Sequence, residues 1–76
     1  MFQAKIEELL SEGYGLRAAW WQGRQAFFEG YPFPNIRPNY GWNTDEEGPS
    51  MDRRTMSGMI NVGWLMAAEE TYGGEL

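Results

Sequence analysis

The sequence predicts a small all-α protein: a helical hairpin of two antiparallel helices joined by a long proline- and aromatic-rich loop, with a short N-terminal helix before it. Leu16, Ala19, Trp20, Gly23 and Phe27 stand at i, i+3, i+4, i+7 and i+11, positions that share one helix face. Met56, Met59, Ile60, Gly63 and Ala67 repeat those offsets near the other end of the chain. All four prolines fall between the two stripes, within residues 31–50. Matched stripes, each with a glycine at the same register, suggest a close crossing of two helices at Gly23 and Gly63, with Trp20, Phe27, Ile60 and Trp64 beside it.

The first element is read from Phe2, Ile6, Leu9 and Leu10, with Lys5, Glu7, Glu8 and Glu12 on the other side. This is an amphipathic pattern of about three turns. Gly13 is a natural helix stop, and Gly15 follows it. A corner there folds the first helix onto the second, although one bent helix from Phe2 to Glu29 satisfies the same pattern. The second helix is expected over Leu16 to Glu29 and ends at Gly30. Gly23 inside it costs about 1 kcal/mol of helix propensity relative to alanine, so a compensating close contact is expected there. Trp21 and Phe28 form a second aromatic pair at i and i+7, off the first stripe.

Residues 31–50 read as a connecting loop, because Pro32, Pro34, Pro38 and Pro49 exclude regular helix. Tyr31, Phe33, Ile36, Tyr40 and Trp42 give the loop apolar side chains to pack over the helices, as core cover or as a binding surface. The acidic run Asp45, Glu46 and Glu47, followed by Asp52, lacks the spacing of a calcium loop and reads as a solvated loop tip. The third helix is expected from Asp52 to Thr71, capped by Ser50 or Asp52, with Gly58 and Gly63 interrupting an apolar interior. Residues 72–76 read as a fraying end.

Seventy-six residues make one small domain, and no cysteine is present to staple it. Twelve aromatics and five methionines exceed what a two-helix core encloses, so some are expected to face solvent, a partner or a second copy, and a homodimer is one way to cover them. The formal net charge of −5 opposes nucleic-acid phosphate and anionic membranes and favours a basic protein surface. No stretch approaches the roughly 18–20 apolar residues of a membrane span, and the start of the chain lacks a secretory signal pattern. The absence of cysteine fits a reducing cytoplasm.

Catalysis has little to draw on. Without histidine or cysteine the commonest general base, the thiol nucleophile and most transition-metal ligands are missing, and no serine has a recognisable activating partner. No glycine-rich loop leads into a lysine, so a phosphate cradle is not expected, nor is any cofactor or metal. Arg17 and Arg24 lie near Trp20 and Trp21, where an arginine and aromatic patch would stack bases, but the net charge argues against direct nucleic-acid binding. A salt bridge to Glu29 or Glu12 is the more ordinary role for these arginines.

The run GRQAFFEG, Gly23 to Gly30, resembles the first helix of the ribosome modulation factor family and its small phage-encoded relatives, with Gly23, Ala26 and Gly30 in place. Pro38 and Tyr40 look like part of that family's connecting loop, and Gly63, Trp64 and Ala67 are similar to its closing Gly-Trp-x-x-Ala helix. The match spans roughly Gly23 to Glu70. It implies a helix-loop-helix hairpin and a bacterial or phage setting. The ribosome-binding member of that family is basic, whereas this chain is acidic, has a longer loop and carries an extra N-terminal helix.

The expected function is therefore a non-enzymatic binding protein in the bacterial host cytoplasm, phage or prophage encoded, that inhibits a host protein or nucleoprotein complex by occupying a basic surface. An anti-CRISPR or other anti-defence inhibitor fits the size and acidity. A ribosome-associated modulation factor and a structural homodimer are the alternatives. The expected partner contacts are Trp21, Phe28 and Trp42 as aromatic anchors and Asp45, Glu46 and Glu47 as steering charges.

Overall fold

A computed structural model describes residues 1–37 and 48–73. The described chain is all-helical and contains no strand. Helix α1 spans Gln3–Ser11, α2 spans Gly15–Phe28 and α3 spans Met56–Thr71.

The corner between α1 and α2 settles the choice between two helices and one bent helix. At the end of α1, Gly13 N–H donates to the Leu10 carbonyl at 3.1 Å and Tyr14 N–H to the Leu9 carbonyl at 2.8 Å. This is the paired Schellman closure, and it requires the left-handed backbone that Gly13 adopts at φ +84°. The same closure ends α2, where Gly30 N–H reaches the Phe27 carbonyl and Tyr31 N–H the Ala26 carbonyl. With the chain turned at Gly13, Ile6 and Leu9 pack on Ala18, and Phe2 and Trp21 close over them. The Phe2 N–H also donates to the Gln25 side-chain oxygen at 2.6 Å, which ties the start of α1 to α2.

Helices α2 and α3 meet through the two glycines. A Cβ on Gly23 would strike the Ile60 carbonyl oxygen and lie 2.8 Å from the Trp64 nitrogen. A Cβ on Gly63 would strike the Trp20 carbonyl oxygen and lie 3.0 Å from its carbon. The backbones touch, so the propensity cost of these glycines is offset by close packing. Away from this point the helices separate: Leu16 and Met56, on the first turns of the two stripes, stay 39% and 49% exposed. Stripe membership alone therefore overstated their burial.

Beyond the crossing Arg24 reaches Glu70 and Phe27 reaches Tyr72, both joining the C-terminal arms of the two helices. A simple antiparallel hairpin would bring the end of α2 to the start of α3. The crossing is present, but these contacts do not trace the antiparallel order.

Helix α3 begins at Met56, four residues later than expected, and neither Ser50 nor Asp52 caps it. The Thr55 hydroxyl accepts the Gly58 N–H at 3.0 Å in that role. Asp52 serves the turn before the helix: its carboxylate accepts the Arg54 N–H at 2.9 Å, and its carbonyl accepts both the N–H and the hydroxyl of Thr55. Gly58 leaves room for that turn, since a Cβ there would overlap the Asp52 backbone.

Within the described parts of residues 31–50, Asn61 is the organising side chain. It is fully buried. Its amide donates to the Ile36 carbonyl at 2.7 Å and the Ser50 carbonyl at 2.8 Å, and its oxygen accepts the Ile36 N–H at 3.1 Å. Ser50 N–H also donates to the Ile36 carbonyl at 2.8 Å. Two distant pieces of chain are thus clipped to each other and to the middle of α3, which satisfies backbone groups that burial would otherwise leave bare.

Candidate docking groove

The crossing angle leaves an open groove on one side of the α2 and α3 pair. Arg17, Trp20 and Trp21 line it from α2, Met59 and Met66 from α3, and Arg53 from the turn before α3. Its volume is about 350 Å³. That lies near the lower end of the range for ligand pockets, about 300–1,000 Å³. The floor is apolar and preset: Trp20 and Trp21 stand edge to face at 5.3 Å, and the Trp20 indole N–H points at the Met66 sulfur at 3.4 Å. Indoles fixed by neighbours lose little freedom on binding, and methionine adapts to the shape presented to it.

Arg24 braces the groove from behind. Its guanidinium lies 4.7 Å from the Trp20 ring centre and 5.5 Å from that of Trp21, and Nη1 donates to Glu70 at 2.9 Å. The expected partners Glu12 and Glu29 are not the ones used, because α2 and α3 pack closely enough to bring Glu70 within reach. Arg17 lies 5.3 Å from the Tyr14 ring. Among the described residues, neither Arg17 nor Arg53 has a carboxylate within ion-pair distance. Beyond Met66 a neighbouring depression turns acidic, lined by Glu69, Glu70 and Gly73.

The expected contact residues separate into three groups. Trp21 lines the groove with one side and packs on Phe2 at 5.0 Å with the other, so α1 covers part of it. Phe28 lies outside the groove, 40% exposed, with edge contacts to Phe2 at 6.1 Å and Phe27 at 5.3 Å. Trp42, Asp45, Glu46 and Glu47 lie outside the described residues. Gly23, Gly63, Trp20, Ile60 and Trp64 do meet at the crossing, and Phe27 stacks edge-on against Trp64 at 5.2 Å. Phe33 joins that pair at 5.4 Å, and the Trp64 indole N–H donates to the Tyr31 carbonyl at 3.1 Å.

Two features escaped the sequence reading. Arg53 is drawn to the groove by the turn at Asp52, which spacing on a continuous helix misplaces. Asn61 carried a visible signal as a polar residue within the apolar run MINVGW.

No family model matches the chain, and no curated protein or solved structure matches it significantly. Among the described residues, no helix is long and apolar enough to cross a membrane.

Proposed function

We propose that this chain is a non-enzymatic protein-binding module that acts by occupying a surface of its partner. The observation that carries this reading is the groove itself, in which two half-buried indoles and two half-buried methionines line an opening between closely crossed helices. Tryptophan and arginine dominate binding energy at protein interfaces, and here they share one concave surface. The sequence holds neither histidine nor cysteine. The described glutamates all lie exposed at the surface.

The narrower setting, a phage or prophage inhibitor of a host protein or nucleoprotein complex such as an anti-CRISPR protein, rests on the small size and the net charge of −5. The Phe33 ring against Trp64, and the Trp64 indole N–H donated to the Tyr31 carbonyl, support reading the described start of residues 31–50 as connecting chain that packs on α3. A ribosome-associated factor is the second reading, favoured by the use of Gly23 and Gly63, both part of the family resemblance, as the crossing residues.

The test is affinity capture from a bacterial lysate by the wild-type protein and by a Met59→Gln, Met66→Gln variant, with melting temperatures compared. Glutamine keeps the length of the side chain and an acceptor for the Trp20 indole while making the groove polar. Capture of a specific protein that the variant loses supports the reading. Equal capture by both, or no specific capture, contradicts it, and recovery of ribosomes would favour the second reading.

A further inference from the structure

We propose that the groove receives an acidic segment of the partner protein, with a carboxylate side chain between Arg17 and Arg53 and an apolar or aromatic side chain over Trp20, Met59 and Met66. This rests on the groove being the protein-binding surface. The local charge of the groove runs against that of the whole chain. The net charge is −5, yet the two charged residues that line this groove are both arginines, one from each side, and neither has a carboxylate partner among the described residues. The arginine that does have one, Arg24, lies behind the indoles and is neutralised by Glu70.

At physiological ionic strength charges act over about 8 Å, so a carboxylate seated between Arg17 and Arg53 responds to them more than to the net charge, whereas Glu69 and Glu70 beyond Met66 favour an apolar group at that end. A guanidinium offers a carboxylate two parallel N–H donors, which gives the contact direction as well as strength. The adjoining apolar floor explains why a simple anion would not suffice: the carboxylate must come attached to a side chain that covers the indoles.

The experiment is selection of a displayed random 12-residue peptide library against the whole protein, with an Arg17→Glu, Arg53→Glu variant as the counter-target. Both arginines are exposed, so the double variant is expected to keep the wild-type melting temperature, which circular dichroism checks. The expected result is enrichment of peptides that combine Asp or Glu with an aromatic or large aliphatic residue. Their affinity for the double variant should fall at least tenfold. Enriched peptides that are basic, or that bind both proteins equally, overturn the proposal. If such peptides still lose binding in the Met59→Gln, Met66→Gln variant, the groove remains a docking site and only its preference for acid is wrong. Failure to enrich any peptide above the double variant also overturns it, while lysate capture decides the broader reading separately.

Discussion

Asn61 shows how much one side chain can hold in a chain this short. It satisfies both backbone groups of Ile36 and the carbonyl of Ser50 from inside α3, where water does not reach. Leaving a buried donor or acceptor unpaired costs about 1–3 kcal/mol, and Asn61→Leu would remove three hydrogen bonds at once while keeping a similar volume, with the Ile36 carbonyl alone retaining a partner in the Ser50 N–H. The variant should unfold at clearly lower denaturant concentration, with a loss of at least about 2 kcal/mol. Equal midpoints for variant and wild type would show that the clip does not stabilise the fold.

Asp52 supplies the pH dependence. The Arg54 side chain, followed by the Arg54 backbone N–H, holds its carboxyl below the ordinary value of 3.8. A carboxyl with a depressed folded-state pKa contributes stability above its unfolded value, and that contribution is lost as pH falls through the folded one. Carbon-detected titration should therefore place the Asp52 midpoint below 3.8 in the wild type and raise it in Arg54→Ala. A midpoint that Arg54→Ala leaves in place would contradict the pairing. Neither residue was legible in these roles beforehand, because both depend on which turn precedes α3.

At the scale of elements, the sequence carried the helices better than their relation. Periodicity placed all three, and the glycine stops at Gly13 and Gly30 were readable because only glycine easily adopts the left-handed turn both closures need. The N-terminus of α3 was misplaced because Ser50, Asp52 and Thr55 are all competent caps. The choice was made by the turn that Asp52 closes onto Thr55. The crossing was legible from matched glycines, but its direction was not, since a shared face fixes which residues meet and leaves the angle open.

That crossing gives a prediction in which two effects have opposite signs. Helix propensity alone makes Gly63→Ala stabilising by about 0.8–1 kcal/mol. Contact with the Trp20 backbone makes it destabilising, because overpacking typically costs about 1–3 kcal/mol. The backbone cannot swing aside as a flexible side chain would, so the second effect should win and the melting temperature should fall. An unchanged or raised melting temperature would refute the close approach.

For the whole molecule, the surplus of aromatics found a partly internal answer. Phe2, Trp21 and Trp20 form one edge-to-face series; Phe27 meets Trp64 edge to face in a second cluster, which Phe33 joins at a tilt. Among the described residues, the exposed rings are those of Tyr14, Phe28, Tyr31 and Tyr72, with Trp20 and Trp21 half-buried along the groove. Composition signalled that apolar surface would be exposed, but its position depended on the crossing angle and on Arg53, neither of which periodicity encodes. The central claim is that binding takes place in this groove. Amide chemical-shift mapping of the isotope-labelled protein on addition of the captured partner tests it most directly. Perturbations centred on Arg17, Trp20, Trp21, Arg53, Met59 and Met66 are the expected result, whereas perturbations centred on the exposed face of α1 or on Tyr31 and Tyr72, with the groove silent, would contradict it.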